Sequence, residues 1–415
     1  MSLSFLVKKG SLKTEEEIRL TGSKSESNRA LILAALSNGK VKINNLSIAA
    51  DTVTLNHIIN QQIKNNQTVV DVGPAGTAMR FLTAYLALRG KAVEITGTER
   101  MKQRPIGILV DALRDLGAAI SYKEKDGYPP ILVDGKFEQK TNHIAVPGNI
   151  SSQFLTALLL IGSSLPQGLE LEIVNELTSK PYVDMSLAML AQCGISYAWN
   201  GQTITIEAQE FADSTLTIEP DWSAASYWYS VVALSENTKV HLPNLRENSL
   251  QGDSAIAEIM ALFGVKTTYT TQGITIEKAG GEINPQLLDF KKCPDLAQTV
   301  VVCAAALGKE FSFTGLETLK IKETDRILAL QTELSKMGVT FLETEAGVYQ
   351  LNCEKLLFPK SMDVSTYEDH RMAMAFAPLA LRIDELVVEE AMVVEKSYPH
   401  FWEDLEKIGI EVKRG

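Results

Sequence analysis

The sequence has no G-x-G triplet, no G-x-x-x-x-G-K-[ST] loop and no G-x-S-x-G elbow in its 415 residues. A dinucleotide site wants the first, a phosphate-binding loop the second and an α/β-hydrolase nucleophile the third, so none of these chemistries has its sequence signature here. Cysteine is scarce. Cys193, Cys293, Cys303 and Cys353 are scattered, three of them in apolar surroundings. That pattern reads as reduced core thiols in a cytoplasmic protein rather than a disulfide framework. No spacing of His, Cys and Asp suggests a metal site, and no metal or organic cofactor is expected. No apolar run reaches membrane-spanning length, and the first residues lack the basic, apolar and small-residue parts of a signal peptide. Positive charge is in deficit. The formal net charge of −11 argues against nucleic-acid or membrane partners, but a local basic cluster can still face a small anion.

What is present is a repeat. Apolar residues make up 45% and charged residues 22% of the chain, the balance of a globular protein whose length suggests two domains. Five stretches share one form, an amphipathic helix, a glycine and a β-rich run: "LVDALRDLGAAISY", "SLAMLAQCGISYAW", "IAEIMALFGVKTTY", "LQTELSKMGVTFLE" and "FWEDLEKIGIEVKR". Their glycines, Gly117, Gly194, Gly264, Gly338 and Gly409, fall 70 to 77 residues apart. Each is placed to cap its helix in the left-handed conformation. A weaker sixth copy, "DTVTLNHIINQQIK", lacks the glycine. Between these lie six helices that are nearly apolar all round and therefore buried: "SNRALILAALSNG", "AGTAMRFLTAYLALRG", "SSQFLTALLLIGSS", "WSAASYWYSVVALSE", "DLAQTVVVCAAALG" and "DHRMAMAFAPLALR". The expected fold is a sixfold repeat of an α/β unit, three units per domain, with the apolar helices inside.

Unusual polar residues gather at the helix starts. Counting thirteen residues back from the capping glycines gives Arg104, Pro181, Gln251, Asp325 and Lys396, each in a polar cluster. The buried helices open on "GSKSESNR", "GPAGTAMR", "GNISSQ", "EPDWS", "CPDLAQ" and "YEDHR". Ser, Asp and Asn there are ordinary caps; Ser27 and Asn28 read that way, Asp325–Arg326 reads as a local ion pair, and His370 as a structural imidazole. The recurrence of cations is harder to dismiss. Lys24, Arg29, Arg80, Arg104, Lys180, Lys322, Arg326, Arg371 and Lys396 all sit near helix N-termini, where a cation opposes the helix dipole. A shared, multiply charged small anion in a cleft between the two domains would offset that repulsion. Asp295 and Glu323 stand among these cations as candidates for general acid–base work or for charge balance.

The motifs "GSKSESNRALILAAL", "GPAGTAMRFLTAYL", "RMKQRPIGILVDALRDLGA", "ISSQFLTALLL", "SKPYVDMSL", "PDLAQT", "IKETDRILAL", "YEDHRMAMAFA" and "EKSYPHFWEDL", in this order and spacing, resemble the EPSP synthase family of enolpyruvyl transferases. The resemblance runs from about residue 20 to the C-terminus. It implies a two-domain inside-out α/β barrel (α+β type) built from six βαβαββ repeats. Residues 1–19 and 220–415 would form one discontinuous domain and 20–219 the other, with the active site in the interdomain cleft. It implies transfer of the enolpyruvyl group of phosphoenolpyruvate to the 5-hydroxyl of shikimate 3-phosphate by a monomer.

By matched position, Lys24, Ser25, Arg29, Ser151, Ser152, Gln153, Ser179, Tyr182, Asp295, Thr318 and Lys322 would contact shikimate 3-phosphate. Lys24, Gly76, Arg104, Gln153, Arg326, Arg371 and Lys396 would hold phosphoenolpyruvate. Asp295 would take the hydroxyl proton, Glu323 would protonate and then deprotonate the methylene carbon, and Lys24 and Lys396 would assist as acids. The small Gly76 implies sensitivity to glyphosate. Two positions depart from the family's usual asparagine, Pro74 before "AGTAMR" and Thr318 before the lysine of "KETDR". A rival of the same fold, the UDP-N-acetylglucosamine enolpyruvyl transferases, uses a reactive loop cysteine. A rival of another class is a non-catalytic anion-binding paralogue, for which loss of Asp295 or Glu323 would speak; both are present.

Overall fold

Five of the six helices that the sequence marks as apolar all round are buried along nearly their whole length, and the sixth, Lys24–Leu36, over its middle, Glu26 to Leu33. Every residue of Ala297–Ala306 and His370–Phe376 is buried. In Gly76–Ala87, Ser152–Gly162 and Trp222–Leu234 a single residue of each escapes burial, and it lies in the first turn: Thr77, Gln153 and Ser223. The apolar length drives burial, and the polar start stays partly open. The computed structural model describes residues 3–90 and 92–415. By contacts it divides into two compact units, Met1–Thr21 with Glu219–Gly415, and Gly22–Ile218.

In the unit formed by residues 22–218, the buried helices Lys24–Leu36, Gly76–Ala87 and Ser152–Gly162 pack on one another. Three sheets belong to this unit. One runs Val69–Asp71, Val93–Thr96, Ile131–Val133, Ile120–Tyr122; its first pair is parallel and the others antiparallel. The second, His143–Pro147, Leu169–Val174, Thr203–Ile206, Ala198–Asn200, repeats that pattern. Each is a β-α-β-α-β-β copy, right for strands fed by alternating buried and surface helices. The third sheet has two strands, Val41–Asn44 parallel to Ser214–Thr217. Its copy stops after its second helix. Ala50–His57 runs on as a π-helical turn, Ile58–Ile63, and the chain passes to Val69 without a hairpin. The missing capping glycine was the sequence sign of this shortened copy.

In the other unit, Trp222–Leu234, Ala297–Ala306 and His370–Phe376 form the buried trio. The sheet Leu287–Asp289, Ser312–Thr314, Val348–Asn352, Thr340–Glu345 is continuous in sequence. The other two are completed by the first residues of the chain. Glu15–Glu17 adds in parallel to Lys239–Pro243. Phe5–Lys8 lies between Glu385–Val388 and Glu411–Arg414, antiparallel to both, with Phe5 opposite Val388 and Arg414. Six copies are therefore present, five of them complete.

The capping glycines serve a second purpose. Gly117 and Gly409 have φ of 118° and 99°, open to glycine and costly for other residues. In addition, at four of the five the carbonyl just before the glycine accepts an N–H from a neighbouring segment. Lys140 donates to Leu116 (2.9 Å), Ala212 to Cys193 (2.9 Å), Leu357 to Met337 (2.9 Å) and Lys13 to Ile408 (2.9 Å). This close approach leaves no room for a Cβ. At Gly409 it would overlap the Ser11 carbonyl, and at Gly117 that of Glu138. Gly409→Ala is therefore expected to destabilise the protein by about 2–4 kcal/mol, read as a lower urea midpoint with an unchanged slope.

Candidate functional site

The helix starts of the unit completed by residues 1–21 converge on one guanidinium. Asp325 caps the helix Arg326–Ser335, accepting from the N–H groups of Ile327 and Leu328, both at 3.1 Å. The next residue, Arg326, is turned inward and almost fully buried. Its Nε–H donates to Asp369 Oδ2 (2.7 Å), Nη1 to Asp295 Oδ1 (3.2 Å) and Nη2 to Glu323 Oε2 (3.0 Å). The solvated local pair that the sequence allowed for Asp325–Arg326 is not what forms. Burial works against the charge of Arg326, but Asp369, Glu323 and Asp295 together outweigh it and raise its pKa.

The remaining cations complete the network. Arg371, in the first turn of His370–Phe376, donates to Asp295 Oδ2 (2.8 Å). Lys396 donates to Glu323 Oε1 (3.0 Å), and Lys322 stands 3.8 Å from Asp295 Oδ1. The Lys322 side chain keeps 27% of its surface open, yet the protein packed around it pushes its ammonium pKa down, with Asp295 pulling the other way. Both candidate acid–base carboxylates are thus ion-paired with candidate anion-binding cations. Thr318 lies in the turn Glu317–Ile321 with its hydroxyl buried and unbonded among the described residues. His370 is buried, its Nδ1 3.5 Å from Asp369.

The sequence reasoning did not single out Asp369, Asp253 or Ser223. Asp369 caps its helix through the Arg371 N–H (2.9 Å). Ser223 receives Arg371 Nη2 at 3.5 Å and makes a short hydrogen bond to the buried Asp253. Their one sequence signal was position: all lie in the polar clusters that open helices, "YEDHR", "SLQGDS" and "EPDWS".

The unit formed by residues 22–218 carries a different set, rich in donors. Ser23 caps Lys24–Leu36, and Lys24 Nζ stands 3.5 Å from the buried Asp51. Ser27 and Asn28 are not caps. Ser27 Oγ accepts the Ser47 N–H (2.9 Å) and Asn28 Oδ1 the Thr52 hydroxyl (2.9 Å), which binds the following segment to this helix. Arg29 is buried. Its donors go to Ser186 Oγ (2.8 Å), Thr156 Oγ1 (3.3 Å) and the carbonyls of Ser25 (2.8 Å) and Tyr182 (3.1 Å). Its guanidinium carbon also stands 5.7 Å from the centroids of the Phe81 and Tyr182 rings. Burial pulls its pKa down to about 10, still well charged at neutral pH. Arg29 therefore holds Ser25 and Tyr182 in place through their backbones.

Ser151 caps Ser152–Gly162 through the Gln153 N–H (3.3 Å), and Gln153 Nε2 reaches the Thr77 hydroxyl (3.4 Å). Ser179 holds φ 54° and ψ 36°, a left-handed conformation that costs a non-glycine residue about 1–3 kcal/mol and recurs at functional sites. Arg104 lies across Gly76, where an added Cβ would stand 2.6 Å from its Nη1. Two of the cations turn out to be local. Arg80 bonds the carbonyls of Gly76 (3.1 Å) and Pro105 (2.9 Å). Lys180 pairs with Asp184 (2.7 Å) over the Trp199 ring.

No cysteine is set up as a reactive thiolate. Cys193, Cys293 and Cys303 are buried and Cys353 half-buried; burial pushes all four thiols up, Cys303 to about 12 and Cys353 to about 11. Among the described residues no group of His, Cys, Asp and Glu could hold a metal ion, and no helix is long and apolar enough to cross a membrane.

This fold is shared by solved enolpyruvyl transferases. An EPSP synthase from Acinetobacter baumannii superposes over the full length of both chains with a TM-score of 0.78 at 19% identity. The enolpyruvyl transferase NikO from Streptomyces tendae gives 0.76 at 13%, covering 100% of this chain and 99% of its own. In sequence, residues 8–63 and 53–405 match the model of the EPSP synthase (3-phosphoshikimate 1-carboxyvinyltransferase) family. A 3-phosphoshikimate 1-carboxyvinyltransferase of Bacteroides fragilis (strain YCH46) is 45% identical over 399 residues, 96% of each chain. One of Histophilus somni (strain 2336) is 37% identical over 424 residues, covering 94% of this chain and 96% of its own. The chain belongs to the EPSP synthase family.

Arg326 answers three carboxylates at once, so its loss leaves buried charge uncompensated. Arg326→Gln is expected to cost roughly 3–5 kcal/mol, and Arg326→Lys, with one compact charge in place of a fork, an intermediate amount. Urea unfolding of the three proteins side by side checks the order.

Proposed function

We propose that the chain transfers the enolpyruvyl group of phosphoenolpyruvate to the 5-hydroxyl of shikimate 3-phosphate, giving 5-enolpyruvylshikimate 3-phosphate and phosphate. This is a step of the shikimate pathway to chorismate and the aromatic amino acids. The observation on this molecule that supports the reading best is Arg326 gathering Asp295 and Glu323, two carboxylates beside Lys322, Arg371 and Lys396. An addition–elimination needs two proton-handling groups and fixed positive charge around a polyanionic intermediate, and this cluster supplies both.

In the reading we favour, Asp295 accepts the proton of the attacking hydroxyl as its oxygen bonds to C2 of phosphoenolpyruvate. Glu323 delivers a proton to the methylene carbon. Glu323 then takes a proton back as the bond from C2 to the phosphate oxygen breaks, and Lys24 or Lys396 protonates the departing phosphate. Arg104, Arg326, Arg371 and Lys396 are assigned to phosphoenolpyruvate, with Gly76 and Gln153. Ser25, Ser151, Ser152, Ser179, Tyr182, Thr318 and Lys322 are assigned to shikimate 3-phosphate, with Gln153 and Lys24 serving both. Arg29 is assigned to shikimate 3-phosphate as well, and also holds the segments of Ser25 and Tyr182. Arriving phosphate and carboxylate groups compete with Asp295 and Glu323 for the same cations. That competition weakens the hold on the two carboxylates and raises their proton affinity when proton transfer is needed.

The UDP-N-acetylglucosamine rival calls for a reactive cysteine, and the raised thiols disfavour it. We further propose a monomer acting in the cytoplasm.

Phosphate release is expected only when both substrates are supplied, and none with UDP-N-acetylglucosamine in place of shikimate 3-phosphate; the reverse pattern would sink the assignment. Glu323→Gln should lose at least about 100-fold in kcat, the ordinary worth of a general acid–base group, with little change in substrate affinity. Gly76→Ala, which displaces the Arg104 guanidinium, should raise KM for phosphoenolpyruvate about tenfold, equivalent to ~1.4 kcal/mol. KM for shikimate 3-phosphate should stay nearly unchanged.

A further inference from the structure

Behind Asp295 lies a second carboxyl group that the reaction above does not use. Asp253 sits in the 3-10 turn Gly252–Ala255 and is 5% exposed. Its Oδ2 accepts the Ser223 hydroxyl, while Oδ1 is buried without a hydrogen-bond partner among the described residues. Ser223 also takes Arg371 Nη2 at 3.5 Å, and the same nitrogen donates to Asp295 Oδ2 at 2.8 Å. One arginine nitrogen therefore links the carboxylate assigned as base to the hydroxyl that Asp253 holds. Ser223 is also the one residue of its helix that is not buried.

We propose that Asp253 is a positioning residue for proton transfer at Asp295, fixing Ser223 and, through it, Arg371, and placing a second negative charge behind the base. The proposal rests on the reaction read above. Asp253 faces Asp295 and Cys293 from the turn that opens Ala297–Ala306, Arg371 from His370–Phe376, and Ser223 and Asp221 from the start of Trp222–Leu234. Asp295 in turn faces Lys322, Arg326 and Arg371. Burial, then Asp295, push Asp253 up to about 7, against Arg371 and the Ser223 hydrogen bond, with Asp221 adding to the rise. Above neutrality Asp253 is ionised. A neighbouring like charge raises a carboxyl's proton affinity, and the Asp253 and Asp295 charges act on one another, which makes Asp295 the stronger base. Below neutrality Asp253 is neutral and that support is withdrawn.

The test is the pH dependence of kcat in the two-substrate phosphate-release assay, for wild type, Asp253→Asn and Ser223→Ala. The wild type should show kcat rising through an inflection near pH 7. Asp253→Asn, which keeps the shape and the acceptor but not the charge, should lose that inflection. Its high-pH plateau should fall by up to about tenfold, the worth of one pKa unit at the base, with shikimate 3-phosphate affinity nearly unchanged. Ser223→Ala removes the donor that favours the Asp253 anion, so its inflection should move to higher pH; this holds the proposal to account should the asparagine variant not fold. A wild-type inflection retained in Asp253→Asn, or unmoved in Ser223→Ala, would overturn the assignment even if kcat fell, because a merely structural loss scales the plateau without moving the limb. A wild type that releases no phosphate with both substrates would instead overturn the reaction itself, and the assignment with it.

Discussion

The buried guanidinium of Arg326 is the constraint on which its unit's chemistry depends. A charge that is almost fully enclosed must be answered, and here three carboxylates from three segments answer it: Asp369 from the cap of one helix, Asp295 from the turn before another, and Glu323 from the loop before its own. None of the three helix starts can shift without unbalancing the others. The arrangement fixes Asp295 and Glu323 relative to one another, which two flexible carboxylates on loops would not achieve. Breaking such a group is costly even where forming it gains little, because the partner left behind remains buried and charged.

The two units carry different sets of polar groups. Residues 22–218 offer donors: hydroxyls and an amide at helix starts, Lys24 and Arg104, and Arg29 as an internal brace. The unit of residues 219–415 with the first residues offers the carboxylates Asp295 and Glu323 and most of the cations. The cations at helix starts look unfavourable in the sequence because each opposes a helix dipole. In the structure the carboxylates of the cluster meet part of that cost. In the reaction proposed above, anionic substrates would exchange places with those carboxylates, so that binding and activation of the base would be one event.

The repeat was legible because glycine and helix patterning recur at near-constant spacing. Gly117, Gly194, Gly264, Gly338 and Gly409 mark the ends of five helices, and the one copy without such a glycine is the one without a hairpin. The cations were legible as a set, since their position at helix starts is unusual in an acidic chain. Their division of labour was not. Arg80 and Lys180 carry the same sequence signal as Arg326 or Arg371, yet the first braces backbone carbonyls and the second pairs locally. What separates them is the direction of a long side chain, which depends on partners distant in sequence. Asp253 was silent for the same reason. An aspartate after a glycine at a helix start is an ordinary turn, and only the fold places Ser223, Arg371 and Asp295 around it.

The strand Phe5–Lys8 has a consequence for how the protein is made. It pairs on one side with Glu385–Val388 and on the other with Glu411–Arg414, partners that leave the ribosome some 380 residues or more after it. At roughly 5–20 residues per second, that interval is on the order of 20–80 s. During it a strand-forming segment, "FLVK", has no native neighbour. Residues 22–218, by contrast, hold all of their own strands and can close by mid-synthesis. The order of folding is thereby set by topology: the donor-rich unit first, and the one bearing the acids only when the last strand emerges. Until then, the unpaired N-terminal strand is the segment of the nascent chain most open to a chaperone or to another chain's sheet edge.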